Sequence, residues 1–231
     1  MTTGEKPDFV CVTGAFDRLA EAHDRVRWDP VPGAFDASVD GHLASIASGG
    51  GGRVVALGGG SGAELRPFVA GGWACTLVDG SRAMLSLARS RYPAKVRIEY
   101  GDATAYLARA AQDSFDVILQ IGELVGYVRD PGHLLRATSR ALTRNGLLVQ
   151  TFADASRMRP RLDGASILCE NDLGFTFRER ESPPLVMSAF HFEALLTLQR
   201  RSGLNPIATL IGPGPRTCVT AARVHCTEGE P

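Results

Sequence analysis

A chain of 231 residues is long enough to bury a sizeable core and fits one α/β unit with embellishments. Its 25 basic side chains balance 25 acidic ones, so no excess of charge points to nucleic acid or a membrane surface as partner. Five cysteines (Cys11, Cys75, Cys169, Cys218, Cys226), odd in number, widely spaced and without a Cys-x-x-Cys pair, argue against a disulfide framework or zinc site and for free thiols in a reducing cytoplasm.

The N-terminal MTTGEKPDFV has neither a basic n-region nor an apolar core, and no apolar run is long enough to span a bilayer, so a cytoplasmic protein is expected. Residues 1–12 read as a loose tail. Phe16 to Arg27 carries Phe16, Leu19 and Val26 among charges, an amphipathic helix that stops before Pro30. After Pro32 and Gly33, the recurrence of Phe35, Val39, Leu43 and Ile46 every three or four positions predicts a second helix. Strand and helix then alternate. Strands are predicted at Val54–Leu57, Ala74–Val78, Val96–Tyr100, Phe115–Leu119 and Leu147–Phe152. Helices are predicted at Arg82–Arg89 (Met84, Leu85 and Leu87 inward), Thr104–Ala111 and Pro131–Leu142. This rhythm predicts a doubly wound parallel sheet with ligands at the carboxyl ends of its strands.

After Phe152 the rhythm breaks. Residues 153–187 hold Arg157, Arg159 and Arg161, an irregular middle, then Arg178 and Arg180 before Pro183-Pro184. Such a length suits either a lid or substrate wall, or a solvated insertion. A helix at Phe190–Arg201 and a hairpin of Pro206–Ile211 with Thr217–Val224 through Gly212-Pro213-Gly214 follow, and the tail from Thr227 is read as frayed. The division expected is 1–48 N-terminal lid helices, 53–152 core, 153–187 insertion and 188–226 C-terminal helix and hairpin.

The stretch Arg53 to Glu64, RVVALGGGSGAE, organises the rest. An apolar strand running straight into glycines marks a sharp turn whose backbone lies close to a ligand, where a Cβ would intrude. Ala63, Glu64 and Leu65 read as a first helical turn whose free N–H groups can face a polar ligand. Asp79 ends the second strand, where a carboxylate can accept both hydroxyls of a ribose. Asp102 ends the third, where it can accept from an exocyclic adenine amine. Together they point to an adenosine-containing cofactor. The spacing Gly58-x-Gly60-x-x-Ala63 also satisfies a dinucleotide fingerprint. However, the chain has no Tyr-x-x-x-Lys, and its terminal hairpin is unlike a dinucleotide domain.

Over Phe16 to Val224 the sequence resembles the class I S-adenosylmethionine-dependent methyltransferases. VVALGGGSG is similar to their glycine-rich first motif, LVDGSRAMLSLAR to the ribose-binding second motif, and YGDA to the adenine-side motif. FDVILQIGELVGYVRDPGHLLRATSRALTRNGLLVQTF is similar to the fourth strand, helix and fifth strand of small-molecule members, and FDRLAEAHDRVRW to their lid helix. The resemblance implies an α/β Rossmann-like, seven-stranded sheet with an antiparallel last strand, a helical N-terminal lid and an insertion after strand five. It implies S-adenosyl-L-methionine as cofactor, held by Gly58, Gly60, Gly62, Asp79, Gly80, Asp102, Ala103, Gln120 and, from the lid, Arg27. Members carry Asp or Glu two residues before the first glycine, where this chain has Ala56. Glu64 and Arg27 are the available substitutes, Arg27 as a partner for the cofactor carboxylate.

The acceptor is expected to be a small molecule, such as a secondary metabolite, methylated on oxygen or nitrogen. The activated sulfonium leaves the protein to align the reactants and exclude water, and a hydroxyl acceptor also wants a general base. Glu123, Tyr127, His133 and His191 are the candidates around the mouth, with His23 on the lid. No Asn/Asp-Pro-Pro-Tyr/Phe follows strand four and no Pro-Cys pair occurs, which argues against DNA-base methylation. The alternative is a methyltransferase-fold protein without methyl-transfer activity, either a partner or binding protein, motivated by Ala56, or an enzyme using the fold for another reaction; a homodimer is also expected as an option.

Overall fold

The protein is described here by a computed structural model covering residues 9–27, 34–162, 166–178, 185–212 and 214–224, with the side chains of 9–11, 23–27 and 34 outside that description. In chain order the elements begin with helices α1 (Phe9–Arg27) and α2 (Ala34–Ala47), strand β1 (Arg53–Leu57), α3 (Arg66–Ala70), β2 (Ala74–Asp79), α4 (Arg82–Arg91) and β3 (Val96–Tyr100). They continue with α5 (Ala103–Arg109), β4 (Phe115–Gln120), α6 (Leu124–Tyr127), α7 (Pro131–Ala141), β5 (Leu142–Ala153) and α8 (Ala155–Met158). The last are β6 (Ile167–Asn171), β7 (Gly174–Arg178), β8 (Val186–Phe190), α9 (Phe192–Arg201), β9 (Leu204–Ile211) and β10 (Arg216–Arg223).

Seven strands form one sheet in the order β3-β2-β1-β4-β5-β10-β9. β1 pairs parallel with β2 and β4, and β10 runs antiparallel to both β5 and β9. The expected seven-stranded α/β architecture with a reversed last strand is therefore the one observed. Alternation along the central strands divides the core into two layers. Val55, Leu57, Val78 and Ile118 pack with residues of α5, α7 and α9 on one face. Val54, Ala56, Leu77 and Val117 pack with α2, α3 and α4 on the other. Both faces being covered, the strands read as continuous apolar runs, and each fully buried Leu or Val contributes about 1.5–3 kcal/mol.

Several element bounds differ from the sequence-based expectation. α1 begins at Phe9, so residues 9–12 are helix rather than tail. α5 begins one residue earlier than expected, at Ala103, because the Asp102 side chain accepts from Ala105 N and caps it there. α7 ends at Ala141 and β5 runs unbroken from Leu142, so Asn145-Gly146 is not the boundary; the β4 pairing absorbs it with a shift between Phe115 and Val117. Leu87 is only half-buried in α4, where Met84, Leu85 and Ala88 face inward. Phe190 ends a strand instead of starting a helix.

The largest difference lies in the insertion. In place of an irregular middle, β6, β7 and β8 form a separate antiparallel sheet. Gly174 permits it: its φ is 143°, and a Cβ there would lie 2.1 Å from Ala189 O. Phe175, Phe177, Met187 and Ala189 build a small core against Ala153 at the end of β5 and Ala155 at the start of α8. Two of the insertion's arginines make contacts within the protein: Arg157 donates to Gly212 O, and Arg159 pairs with Glu170 and lies over the Phe175 ring. Arg180, Pro183-Pro184, Pro213, Pro30, Pro32, Gly33, Cys226 and the tail from Thr227 lie outside the described residues.

Candidate functional site

A cleft of about 750 Å³ opens at the carboxyl ends of β1, β2, β3 and β4, beneath α1. One end is made of the glycine loop and two acids. Gly58 and Gly60 take φ of 61° and 52°, left-handed geometry that disfavours any side chain. Gly58 N donates to Val78 O, which ties the loop to β2. The Asp79 carboxylate completes the arrangement: Oδ2 accepts from Gly60 N at 2.8 Å and Oδ1 from Ser81 N at 2.7 Å. Two accepted bonds leave roughly half of its lone-pair sites available, since an ionised carboxylate offers about four. Burial raises the Asp79 pKa, only partly opposed by the backbone bonds from Ser81 and Gly60. Gly80, Gly101, Asp102, Ala103 and Met84 complete this end. A Cβ at Gly101 would meet no atom within 4 Å.

The N-terminal helix crosses the mouth. Asp17 of α1 accepts from Ser81 Oγ at 2.6 Å and Ala83 N at 3.0 Å, which latches α1 onto the start of α4. The Ser81 bond leads the causes that lower the Asp17 pKa. Farther along the cleft, Phe16 meets Tyr127 edge to face, ring centroids 5.7 Å apart.

The other end is assembled from distant segments. The backbone N–H groups of Gly122 and Glu123 donate to Thr151 Oγ1, fixing the loop after β4 with Glu123 at φ 58°. Glu123 Oε1 then accepts from Arg216 Nε at 2.7 Å, and Arg216 Nη1 donates to Asp36 Oδ1 at 2.9 Å. The guanidinium lies over the Phe35 ring, 5.1 Å from its centroid. Burial works to lower the Arg216 pKa, but the Glu123 and Asp36 carboxylates outweigh it and hold the pKa above its ordinary value. All three charged groups line the cleft.

Of the residues expected from sequence, Gly58, Gly60, Asp79, Gly80, Asp102, Ala103, Glu123, Tyr127 and His133 line this one cleft. His133 stands exposed in the first turn of α7, its N–H donating to Asp130 Oδ1 at 2.8 Å. Three expected residues are placed elsewhere. His191 is an exposed residue just before α9, its N–H spent on Leu173 O. Gln120 is fully buried, donating to Thr138 Oγ1 and accepting from Gln150, which in turn accepts from Gln199. Gly62 accepts from Tyr92 Oη at 2.9 Å behind the loop. The side chains of Arg27 and His23 lie outside the described residues. Among described insertion residues Leu185 alone lines the cleft.

Glu64, mentioned from sequence as a substitute acid, is buried and lines the cleft. Its Oε1 lies 2.7 Å, and the Ala56 methyl 2.9 Å, from the point a Gly59 Cβ would occupy. A carboxylate therefore stands beside the loop where Ala56 supplies none. Asp36 and Arg216 escaped the sequence reading because no local motif marks them. Buried thiols take no part: burial raises Cys75 to about 11 and Cys218 to about 12. Among the described residues no three His, Cys, Asp or Glu are grouped to hold a metal, and no helix is long and apolar enough to cross a membrane.

Residues 54–146 match the family model described as a methyltransferase domain. No sequence among the curated proteins matches the chain. Solved structures share the fold at low identity. The chain is similar to the 1,6-didemethyltoxoflavin-N1-methyltransferase of Burkholderia thailandensis, solved with S-adenosylhomocysteine, at 18% identity and TM-score 0.67, over 93% of this chain and 88% of that one. It is similar to a possible histamine N-methyltransferase of Thermotoga maritima at 19% identity and TM-score 0.63, over 91% and 98%. It is also similar to the [4+2]-cyclase SpnF at 14% identity and TM-score 0.68, over 94% and 97%.

Proposed function

We propose that this chain, which has the class I S-adenosylmethionine-dependent methyltransferase fold and a methyltransferase domain at residues 54–146, transfers a methyl group from S-adenosylmethionine to an oxygen or nitrogen of a small molecule. The observation that carries the reading is Asp79, closing on Gly60 N in the cleft wall with Asp102 on the next strand end. When bound, S-adenosylmethionine supplies a methyl already activated on a sulfonium. The donor set fits it: Asp79 accepts the ribose hydroxyls, and Asp102, which spends Oδ1 on Ala105 N, keeps a second oxygen for an exocyclic amine. Glu64, a buried carboxylate beside the glycine loop, would be the acid available to the cofactor's ammonium group.

The remaining chemistry falls to this chain as alignment and dehydration. Phe16 and Leu19 of α1 cover the cleft, and Tyr127 narrows it from the opposite side. For an oxygen acceptor, a His133 ring nitrogen takes the hydroxyl proton; an amine that arrives neutral needs no base. Glu123 is engaged by Arg216 and is a poorer base than His133. The N1-methyltransferase neighbour and the possible histamine N-methyltransferase make nitrogen as reasonable a target as oxygen, and the proposed setting is secondary metabolism in the cytoplasm.

A second reading, the fold without methyl transfer, rests on Ala56 and on the neighbour that is a cyclase. Titration calorimetry with S-adenosylmethionine, followed by mass detection of methylated products from a small-molecule library, separates the two. Micromolar binding with a product 14 mass units heavier supports transfer. Binding without any product over a broad library, or no binding at all, favours the second reading.

A further inference from the structure

Arg216 is held more firmly than an ordinary surface arginine. Two carboxylates from segments far apart in sequence grip Nε and Nη1, and an aromatic ring backs the guanidinium plane. The side chain is 31% exposed and lines the cleft. A guanidinium has five N–H donors in a fixed fork. Nη2 makes no hydrogen bond to any described residue, yet no nitrogen of Arg216 is a buried orphan. Three oriented N–H groups, two on Nη2 and one on Nη1, thus make no hydrogen bond to a described residue.

We propose that Arg216 reads the methyl acceptor, Nη2 donating to a neutral hydrogen-bond acceptor on it, a carbonyl oxygen or ring nitrogen, and that carboxylate and phosphate substrates are disfavoured. The proposal rests on the methyltransferase reading and names its substrate class. Charge decides between neutral and anionic partners. One guanidinium between Asp36 and Glu123 makes a triad of net −1, so an arriving anion meets two carboxylates as well as the cation. A neutral carbonyl gains the charge-assisted donor without that repulsion. The rest of this end suits an apolar body, being lined by Phe16, Leu19, Ile121, Leu124, Val128 and Leu185. Arg216 is preorganised for this, because its fork is fixed before any ligand arrives.

The test uses the full chain saturated with S-adenosylhomocysteine, with benzamide and benzoate as matched probes followed by ligand-observed NMR. Failure to bind S-adenosylhomocysteine overturns the methyltransferase reading and this proposal with it. With that ligand bound, benzamide is expected to bind at least about tenfold more tightly than benzoate. Arg216→Lys keeps a cation between the two acids, and so the net charge, but loses the fork; benzamide should bind at least about threefold more weakly, with benzoate still disfavoured and S-adenosylhomocysteine affinity within about threefold. Glu123→Gln brings the triad to zero net charge, so benzoate should gain at least about threefold. Benzoate binding as tightly as benzamide, neither probe binding, or benzamide affinity unchanged by Arg216→Lys would each overturn the assignment while leaving the cofactor site standing.

Discussion

At one end of the cleft, Gly58, Gly60, Asp79 and Asp102 come from consecutive strand ends, and the decisive bonds are made by backbone N–H groups. At the other, Asp36, Glu123 and Arg216 are side chains brought together across as many as 180 residues. The difference separates what must stay fixed from what can change. A backbone cradle matched to one cofactor admits few alternatives, because altering it means altering φ/ψ or strand register. An ion triad assembled from an N-terminal helix, a loop and the last strand can be re-specified one side chain at a time. The same sheet can therefore keep the glycine-loop end, proposed for the cofactor, and exchange the end proposed for the acceptor.

The sharpest way to break that contrast is His133→Ala. With an oxygen acceptor, turnover should fall on the order of 10²–10⁴-fold while calorimetric cofactor affinity stays unchanged; a matching loss of affinity would show that the two ends are not separable. Next in size is Asp79→Ala, which removes two charge-assisted bonds of about 1.5–3 kcal/mol each and should cost at least tenfold in S-adenosylmethionine affinity with the far-UV spectrum intact. Equal binding by the variant would remove the central support for the cofactor site. Glu64→Gln should weaken binding by roughly fivefold if that acid serves in place of one at Ala56, and an unchanged isotherm would exclude the substitution.

Acidification probes the same end more gently. Asp79 has a raised pKa through burial and must be ionised to accept ribose hydroxyls. Cofactor affinity should therefore fall as pH drops through a value above the usual carboxylate range, and Asp79→Asn should flatten that limb. In the free protein the sign for stability is opposite: the contribution of Asp79 is present below its unfolded pKa and lost as pH rises through its folded one. Asp17, lowered chiefly by its Ser81 bond, contributes stability above its unfolded pKa that is lost as pH falls through its folded pKa. This group is largely exposed, so Asp17→Asn should shift the thermal midpoint only slightly, and a large shift would mean that α1 is held mainly by this latch.

Strand–helix alternation, the glycine turn and the acids at two strand ends were legible in the chain because each is a local pattern. An apolar strand buried on both faces, a left-handed turn and an N-terminal cap are decided by a few adjacent residues. Short-range periodicity failed where strands are short and mixed, as in β6, β7 and β8, whose pairing depends on Gly174 letting Ala189 O approach. It failed again for Gln120, whose polar side chain at a strand end suggests a ligand contact but faces a buried amide chain from Thr138 to Gln199. His191 was misplaced because β8 takes up the residues before it, turning the start of α9 away from the cleft. The sequence by itself therefore determined the sheet, the cofactor loop and its acids, since local sterics and burial specify them. Only the tertiary structure decided the ion triad at the proposed acceptor end, because the Coulomb attraction that joins Asp36, Arg216 and Glu123 depends on distance in space and leaves no period or spacing along the chain.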